Sequence, residues 1–347
     1  MARLHWMVAS VLTAFAAASS AAAADDATLL KQAQVIFKSL PKDMATSEFP
    51  VAKPRVELGR LLFFDPRFAI DANISCATCH QPAFYGTDGL TKSIGVQQRR
   101  QPRNAPTILN SALSISHWRG DRDSVEDQAI KALIAPVNTG QPDEKAILDR
   151  LALIPGYAPL FKAAFPDDAA PTTLQNMAKA IGAYERTLVA RSPFDVYLAG
   201  DVNALSPAAR AGLEKFITTG CVACHEGVGV GGRMFQKFGV LEDYWKATGS
   251  QTIDKGRVDV TKNPDDLYVF RVPSLRNVAM TAPYFHDGSI AALPDAVRIM
   301  ARVQLGATLA DADIREIVAF LESLTGELPA NFATVPALPP GSVAPAK

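Results

Sequence analysis

Two short stretches of the sequence carry the same chemistry at the same spacing: Cys76-Ala77-Thr78-Cys79-His80 and Cys221-Val222-Ala223-Cys224-His225. In Cys-x-x-Cys-His, one helical turn brings two thiols to the two vinyl positions of a single porphyrin, while the adjacent imidazole faces the iron. Two other uses of paired cysteines fit less well. A redox dithiol has no need of His directly after both copies, and a four-cysteine zinc centre rarely splits its pairs by more than a hundred residues. These motifs use all four cysteines of the chain, so none is left for a disulfide. The spacing therefore predicts two covalently attached c-type haems, with Cys76, Cys79, Cys221 and Cys224 as attachment points and His80 and His225 as proximal iron ligands.

Each iron has one further axial position, and its occupant separates an electron carrier from a catalyst. The chain has five histidines. His5 lies in the leader described below and His80 and His225 are proximal, which leaves His117 and His286. The methionines after the second motif are Met234, Met280 and Met300.

The elements that must position these residues repeat. Val56 to Phe64 reads as a helix leading through a loop to Cys76, and Ala208 to Phe216 leads through Thr218, Thr219 and Gly220 to Cys221. Each half closes with an amphipathic helix. Pro171 opens the first, where Leu174, Met177, Ile181, Tyr184 and Leu188 recur at helical spacing. The second begins at a capping-box-like Thr308-x-x-Asp311 and lines Ile314, Ile317, Leu321 and Leu324 on one face. Both stripes read as core packing. The long Gly- and Pro-rich loops between them require something large at the centre of each half, which a haem supplies. The expected fold is mainly α, with two cytochrome-c-like haem domains in tandem over residues 25–190 and 191–330. The boundary is expected near Arg191 to Leu205, where Ser192-Pro193 and Ser206-Pro207 break the pattern. The tail over 331–347 is rich in Pro and Ala and is expected to be disordered.

At the N-terminus, Met1, Ala2 and Arg3 precede an apolar run from Trp6 to Ala18 and small residues up to Ala24. This pattern reads as a secretory signal over residues 1–24, too short to span a membrane. It places the mature chain in the periplasm. Lys plus Arg and Asp plus Glu both number 35. Bulk charge therefore offers nothing to a nucleic acid or a membrane surface.

Further motifs run through nearly the whole mature chain in a fixed order. They are Leu58-Gly59-Arg60-Leu61-Leu62-Phe63, Pro102-Arg103-Asn104-Ala105-Pro106-Thr107, His117-Trp118 and Asp127-Gln128-Ala129 in the first half. Lys237-Phe238-Gly239-Val240, Val272-Pro273-Ser274-Leu275-Arg276-Asn277, Thr281-Ala282-Pro283-Tyr284-Phe285-His286-Asp287-Gly288 and Ala296-Val297-Arg298-Ile299-Met300 follow. In these the chain resembles the bacterial di-haem cytochrome c peroxidases, the family that includes MauG. The resemblance implies that the N-terminal haem reacts with hydrogen peroxide and that the C-terminal haem is a high-potential electron store. It also implies that Met300, in the segment from Ala296 to Gly306, is the sixth ligand of the second iron. A thioether ligand raises reduction potential; packing of a short helix is the other use of Met300. Trp118 matches a tryptophan between the two haems that conducts electrons, a role compatible with that of a buried interface aromatic. Asn104, Thr281 and Pro283 match a calcium site at the domain interface, where one side-chain and two backbone oxygens suit a hard cation.

Three positions depart from the family pattern. Where a His caps the peroxidatic iron in a Ser-Ile-Gly-His context, this chain reads Ser93-Ile94-Gly95-Val96; Val96 cannot bind iron, so the reductive switch is missing or rebuilt. Where a distal Glu follows Asn-Pro-Val, the chain reads Ala135-Pro136-Val137-Asn138. Asn138 cannot shuttle a proton, a loss that costs about 10²–10⁴-fold in rate. The residue before Trp118, an aromatic in the family, is His117. Three roles stand open for it: acid–base group, sixth ligand of the first iron, or a His outside the site.

The candidate catalytic set is thus His117, Trp118, Gln128 and Asn138. The function expected is reduction of hydrogen peroxide, with a small periplasmic cytochrome c or cupredoxin as electron donor. MauG-like oxidation of a partner protein and non-catalytic electron carriage or sensing are the alternatives, and the resemblance makes a homodimer the expected assembly.

Overall fold

The structure, a computed structural model, describes residues 26–343. The leader expected over 1–24 lies outside them. In chain order the helices of the first half are α1 (26–36), α2 (Lys53–Phe64), α3 (Cys76–Cys79), α4 (Val125–Leu133), α5 (Glu144–Ala152), α6 (Ala158–Ala164) and α7 (Leu174–Glu185). There follow α8 (Pro193–Leu198), α9 (Pro207–Thr218), α10 (Tyr244–Thr248), α11 (Val258–Thr261), α12 (Leu293–Leu305), α13 (Asp311–Glu322) and α14 (Ala330–Ala333). Two short strands, β1 (Phe235–Lys237) and β2 (Val269–Arg271), pair antiparallel with Phe235 opposite Arg271. The chain is mainly α, as its periodicity predicts. Among the described residues no helix is long and apolar enough to cross a membrane.

The two halves are built on the same crossing. In the first, α2 lies against α7, and a Cβ placed on Gly59 would come within 1.8 Å of the Ala180 carbonyl oxygen. In the second, α9 lies against α13, and a Cβ on Gly212 would come within 1.8 Å of the Glu316 carbonyl oxygen. Each helix preceding a Cys-x-x-Cys-His motif thus crosses its closing helix at a glycine, because only a residue without a side chain allows backbones that close. Four residues beyond each glycine a phenylalanine, Phe63 or Phe216, enters the core. The first core gathers Leu58, Phe63, Phe161, Met177, Ile181 and Tyr184, and the second Phe194, Tyr197, Leu213, Phe216, Ile317 and Phe320. The chain passes from one core to the other between Ala190 and Phe194. Thr308 does not cap α13, which starts at Asp311 with Ala310 in the cap position.

The termini cross over, which corrects both outer limits expected from the sequence. Residues 26–40 precede the first motif but pack in the second core: Ala33 and Phe37 are fully buried there, and the Phe37 ring meets Phe194 edge-on at 5.3 Å. The Leu40 amide donates to Asp195 Oδ1 at 2.8 Å, and Arg276 holds this corner by donating to Asp195 Oδ2 at 2.7 Å and to the Lys38 carbonyl. The tail, expected to be disordered from 331, is instead docked on the first half as far as it is described. Phe332 is fully buried in the first core beside Phe63. Arg60 donates to the carbonyls of Asn331 and Thr334, both at 2.7 Å, and Arg67 to those of Pro339 and Gly341. A Pro- and Ala-rich composition carries no pattern of its own, yet its backbone carbonyls remain good acceptors for arginines presented by another element.

A third apolar cluster joins the halves. Trp118, from the loop before α4, packs with Phe238, Tyr244, Phe270, Ile299 and Val303. Two buried ion pairs stiffen the cores, Arg186 with Glu126 at 2.7 Å and Arg276 with Asp195 at 2.7 Å.

Candidate functional site

The first Cys-x-x-Cys-His forms α3 and its C-cap. Ser75 and Thr78 close a capping box at its start, and the His80 amide donates to the Cys76 carbonyl at 3.0 Å. The His80 ring is held at Nδ1 by the Gly86 carbonyl at 2.9 Å. A carbonyl only accepts, so Nδ1 carries the proton and the lone pair is on Nε2, the arrangement of a metal-binding imidazole. Burial pushes the His80 pKa down, against the opposing pull of that carbonyl and of Asp88, and favours the neutral ring.

The second motif forms a tight turn over Cys221–Ala223, with the His225 amide donating to Cys221 at 3.0 Å. The carbonyls of Val230 and Pro273 face the His225 ring, whose pKa burial pushes down to about 4. A Cβ on Gly231 would come within 2.8 Å of His225 Nδ1, so the loop closes on the ring without room for a side chain. All four thiols are unpaired. Burial pushes Cys76 up to about 12 and Cys79 and Cys221 up to about 11. Cys76, Ala77 and Tyr85 pack against the first core, and Cys221 and Val222 against the second. Paired thiols on one turn, a buried imidazole and apolar walls fit a c-type haem in each half; a carbonyl holds Nδ1 of His80, while Nδ1 of His225 is buried without a hydrogen-bond partner.

Met300 and Trp118 belong to the same apolar neighbourhood. Met300, on α12, packs against the third cluster, the one that holds Trp118. Trp118 is 7% exposed and its Nε1 donates to the Asn104 carbonyl at 2.8 Å. His286 lies in the same neighbourhood, stacked on Phe270 with ring centroids 4.2 Å apart and Nε2 buried without a hydrogen-bond partner. Asp254 Oδ2 stands 4.0 Å from that Nε2, and the rings of Phe238 and Tyr244 pack edge-on against the imidazole.

His117, with φ of +67°, pairs through Nδ1 with Asp121 Oδ1 at 2.5 Å. Arg119 and Arg122 also bind Asp121, at 3.1 and 2.8 Å. Burial works against ionisation of Asp121, but the hydrogen bond and charge of His117 and the two guanidinium groups outweigh it and hold the carboxyl well below its usual range. Gln128 sits on α4 with Oε1 buried and unpartnered among the described residues. Asn138 accepts a short hydrogen bond from Gln101 Nε2, so its amide is engaged by a neighbour absent from the candidate set.

The loop bearing Val96 is locked to the loop bearing Asn138. The Val96 amide donates to the Val137 carbonyl at 3.0 Å, and Val96 itself is fully buried against Gly140. At the interface, Asn104 donates Nδ2 to the Leu90 carbonyl and its amide to the His286 carbonyl, which leaves Oδ1 for another partner. Among the described residues no group of three or more His, Cys, Asp or Glu is placed to hold a metal, so a cation here would rest on amide and carbonyl oxygens.

Sequence reasoning missed three participants: Asp121 beside His117, Gln101 beside Asn138, and Arg271 beside Trp118. Asp121 and Gln101 carry no motif. Arg271 left a trace, a lone charge in the apolar run Val269-Phe270-Arg271-Val272.

Known proteins resemble this chain. The sequence pattern of a family described as di-haem cytochrome c peroxidase matches residues 53–203. The cytochrome c551 peroxidase of Pseudomonas aeruginosa is 41% identical over 319 residues, covering 88% of this chain and 91% of the relative. The methylamine utilization protein MauG of Methylorubrum extorquens is 32% identical over 337 residues, covering 93% and 92%. Among solved structures, a MauG-like protein associated with microbial copper homeostasis superposes with a TM-score of 0.75 at 29% identity, covering 85% of this chain and 97% of that one.

Proposed function

The chain belongs to the di-haem cytochrome c peroxidase family, and from that premise we propose that it reduces hydrogen peroxide to water in the periplasm with electrons from a small cytochrome c or cupredoxin. The reaction takes two electrons and two protons per peroxide and yields two waters. When bound, the haems would supply the one-electron redox chemistry, and the one at the first motif would be the place where peroxide reacts. Cys76, Cys79, Cys221 and Cys224 would hold them covalently, His80 and His225 would bind the irons, and Met300 would bind the second iron as well. Trp118 carries electrons between the halves. Gln128 offers its amide to bound peroxide, and His117, oriented by Asp121, moves the proton that Asn138 cannot.

One observation supports this reading above the others: Trp118 comes from the first half of the sequence, bonds to Asn104 of that half, and packs in the cluster that receives Met300 of the second. A calcium ion on Asn104 Oδ1 and the Thr281 and Pro283 carbonyls belongs to the same proposal, and the calcium content of the purified protein tests it. Stopped-flow mixing of haem-loaded protein with peroxide and a reduced donor tests the activity. Oxidation of the donor well above the rate with free haem is expected, and none above it would overturn the reading. Two low-spin signals in the electron paramagnetic resonance spectrum of the oxidised protein would point to an electron carrier instead.

A second reading, oxidation of side chains on a partner protein, is favoured by Val96, which is buried where the family's capping His stands. Mass spectrometry of a co-expressed partner after peroxide addition separates the two.

A further inference from the structure

Three arginines of the described chain are nearly inaccessible, and two of them have a carboxylate. Arg186 has Glu126 and Arg276 has Asp195. The third, Arg271, is 6% exposed, its Nε is buried with no hydrogen-bond partner, and no carboxylate among the described residues pairs with it. A guanidinium is removed from water only where an anion replaces the lost hydration.

The place of Arg271 in the fold identifies that anion. Arg271 ends β2, its amide donates to the Trp118 carbonyl at 2.8 Å, and its Cζ stands 5.5 Å from the centre of the Trp118 ring. Two residues on, the Pro273 carbonyl faces the ring of His225, the proximal ligand of the second motif. The guanidinium therefore stands beside Trp118 with its Nε buried, two residues before the segment whose carbonyl faces His225. We infer that Arg271 binds a propionate carboxylate of the haem attached at Cys221 and Cys224, and holds it ionised beside Trp118. This rests on the proposed occupancy of the second motif by haem. Burial pushes the Arg271 pKa down to about 10, which leaves the group charged at neutral pH.

The charge has a consequence for electron flow. A cation against the indole face opposes removal of an electron from that ring. Trp118 is then a route between the halves and not a resting place for an oxidising equivalent. The same cation keeps the propionate from taking up a proton as the second haem is reduced.

Arg271→Gln and Arg271→Lys, prepared in the haem-loaded full-length protein, test the inference by optical redox titration of both haems from mildly acid to mildly alkaline pH. For Arg271→Gln, the reduction equilibrium constant of the second haem should change at least about tenfold, 59 mV for one electron. It should also gain a pH dependence absent from the parent, while the first haem keeps its value. Arg271→Lys should recover most of the parent behaviour. Unchanged potentials, equal displacement of both haems, or a lysine variant no better than glutamine would overturn the inference. If Arg271→Gln does not fold, a crystal structure of the loaded parent decides. A propionate oxygen within hydrogen-bond distance of the guanidinium is expected, and a chloride, a water or a protein carboxylate in its place refutes it. Soret absorbance and the mass of two haems are checked first: a parent protein without them fails the proposed function, whereas a loaded protein indifferent to Arg271 fails only this inference.

Discussion

Trp118 Nε1 donates to the backbone carbonyl of Asn104 at 2.8 Å, and both residues are buried. The bond fixes the plane of the indole from the first half, while Phe270, Ile299 and the Arg271 guanidinium fix it from the second. A side chain held from both sides in this way is a defined contact between the halves, and its removal separates structure from electron transfer.

Trp118→Phe should retain both haems and fold, with a gap in place of the indole nitrogen. Donor oxidation in stopped flow is expected to slow by roughly tenfold or more, each factor of ten being about 1.4 kcal/mol of barrier. Peroxide reaction with the reduced protein, followed at the Soret band, should change much less. Equal slowing of both steps would show that the substitution disturbs the first haem pocket and not the passage between halves.

Met300→Ala should lower the reduction potential of the second haem, because loss of a thioether ligand removes the preference for ferrous iron. It should also open that iron to added cyanide or imidazole, which the parent is expected to exclude at the same site. A potential that stays put would mean that Met300 only packs α12 against the Trp118 cluster.

The His117 to Asp121 pair has a pH signature. Asp121 titrates lower in the folded chain than in the unfolded one, so its contribution to stability is present above about pH 4 and is lost as pH falls through the folded value. Asp121→Asn should therefore destabilise by about 1 kcal/mol at neutral pH and flatten the acid side of the stability curve. Urea midpoints measured against pH check this; parallel curves for parent and variant would contradict it. If His117 is the acid–base group, the same variant should also move the acid limb of the pH–rate profile for peroxide.

Phe332→Ala tests the docked tail. Its ring is fully buried against Phe63 in the first core, and emptying such a site costs about 3–5 kcal/mol. Chemical denaturation should show the loss, whereas a tail that left the surface freely would lose almost nothing.

Much of this protein is legible without coordinates. Cys76, Cys79 and His80 are neighbours along the chain, as are Cys221, Cys224 and His225, so their chemistry is set by covalent spacing within one turn. The stripes of α7 and α13 are likewise local, because a period of 3.6 residues places Leu174, Met177 and Ile181 on one face whatever lies opposite. The absence of a His at Val96 and of a Glu at Asn138 is also plain in the residues themselves.

Tertiary structure decided everything that depends on partners distant in the chain. That α1 joins the second core and Phe332 the first follows from which apolar surfaces remain uncovered after each half closes, and no local pattern records that. The engagement of Asn138 by Gln101, 37 residues away, has the same origin. Arg271 shows the reason most directly. Its charge is written in the sequence, but its lack of a carboxylate is a property of the folded surroundings, since only packing determines which groups are removed from water together.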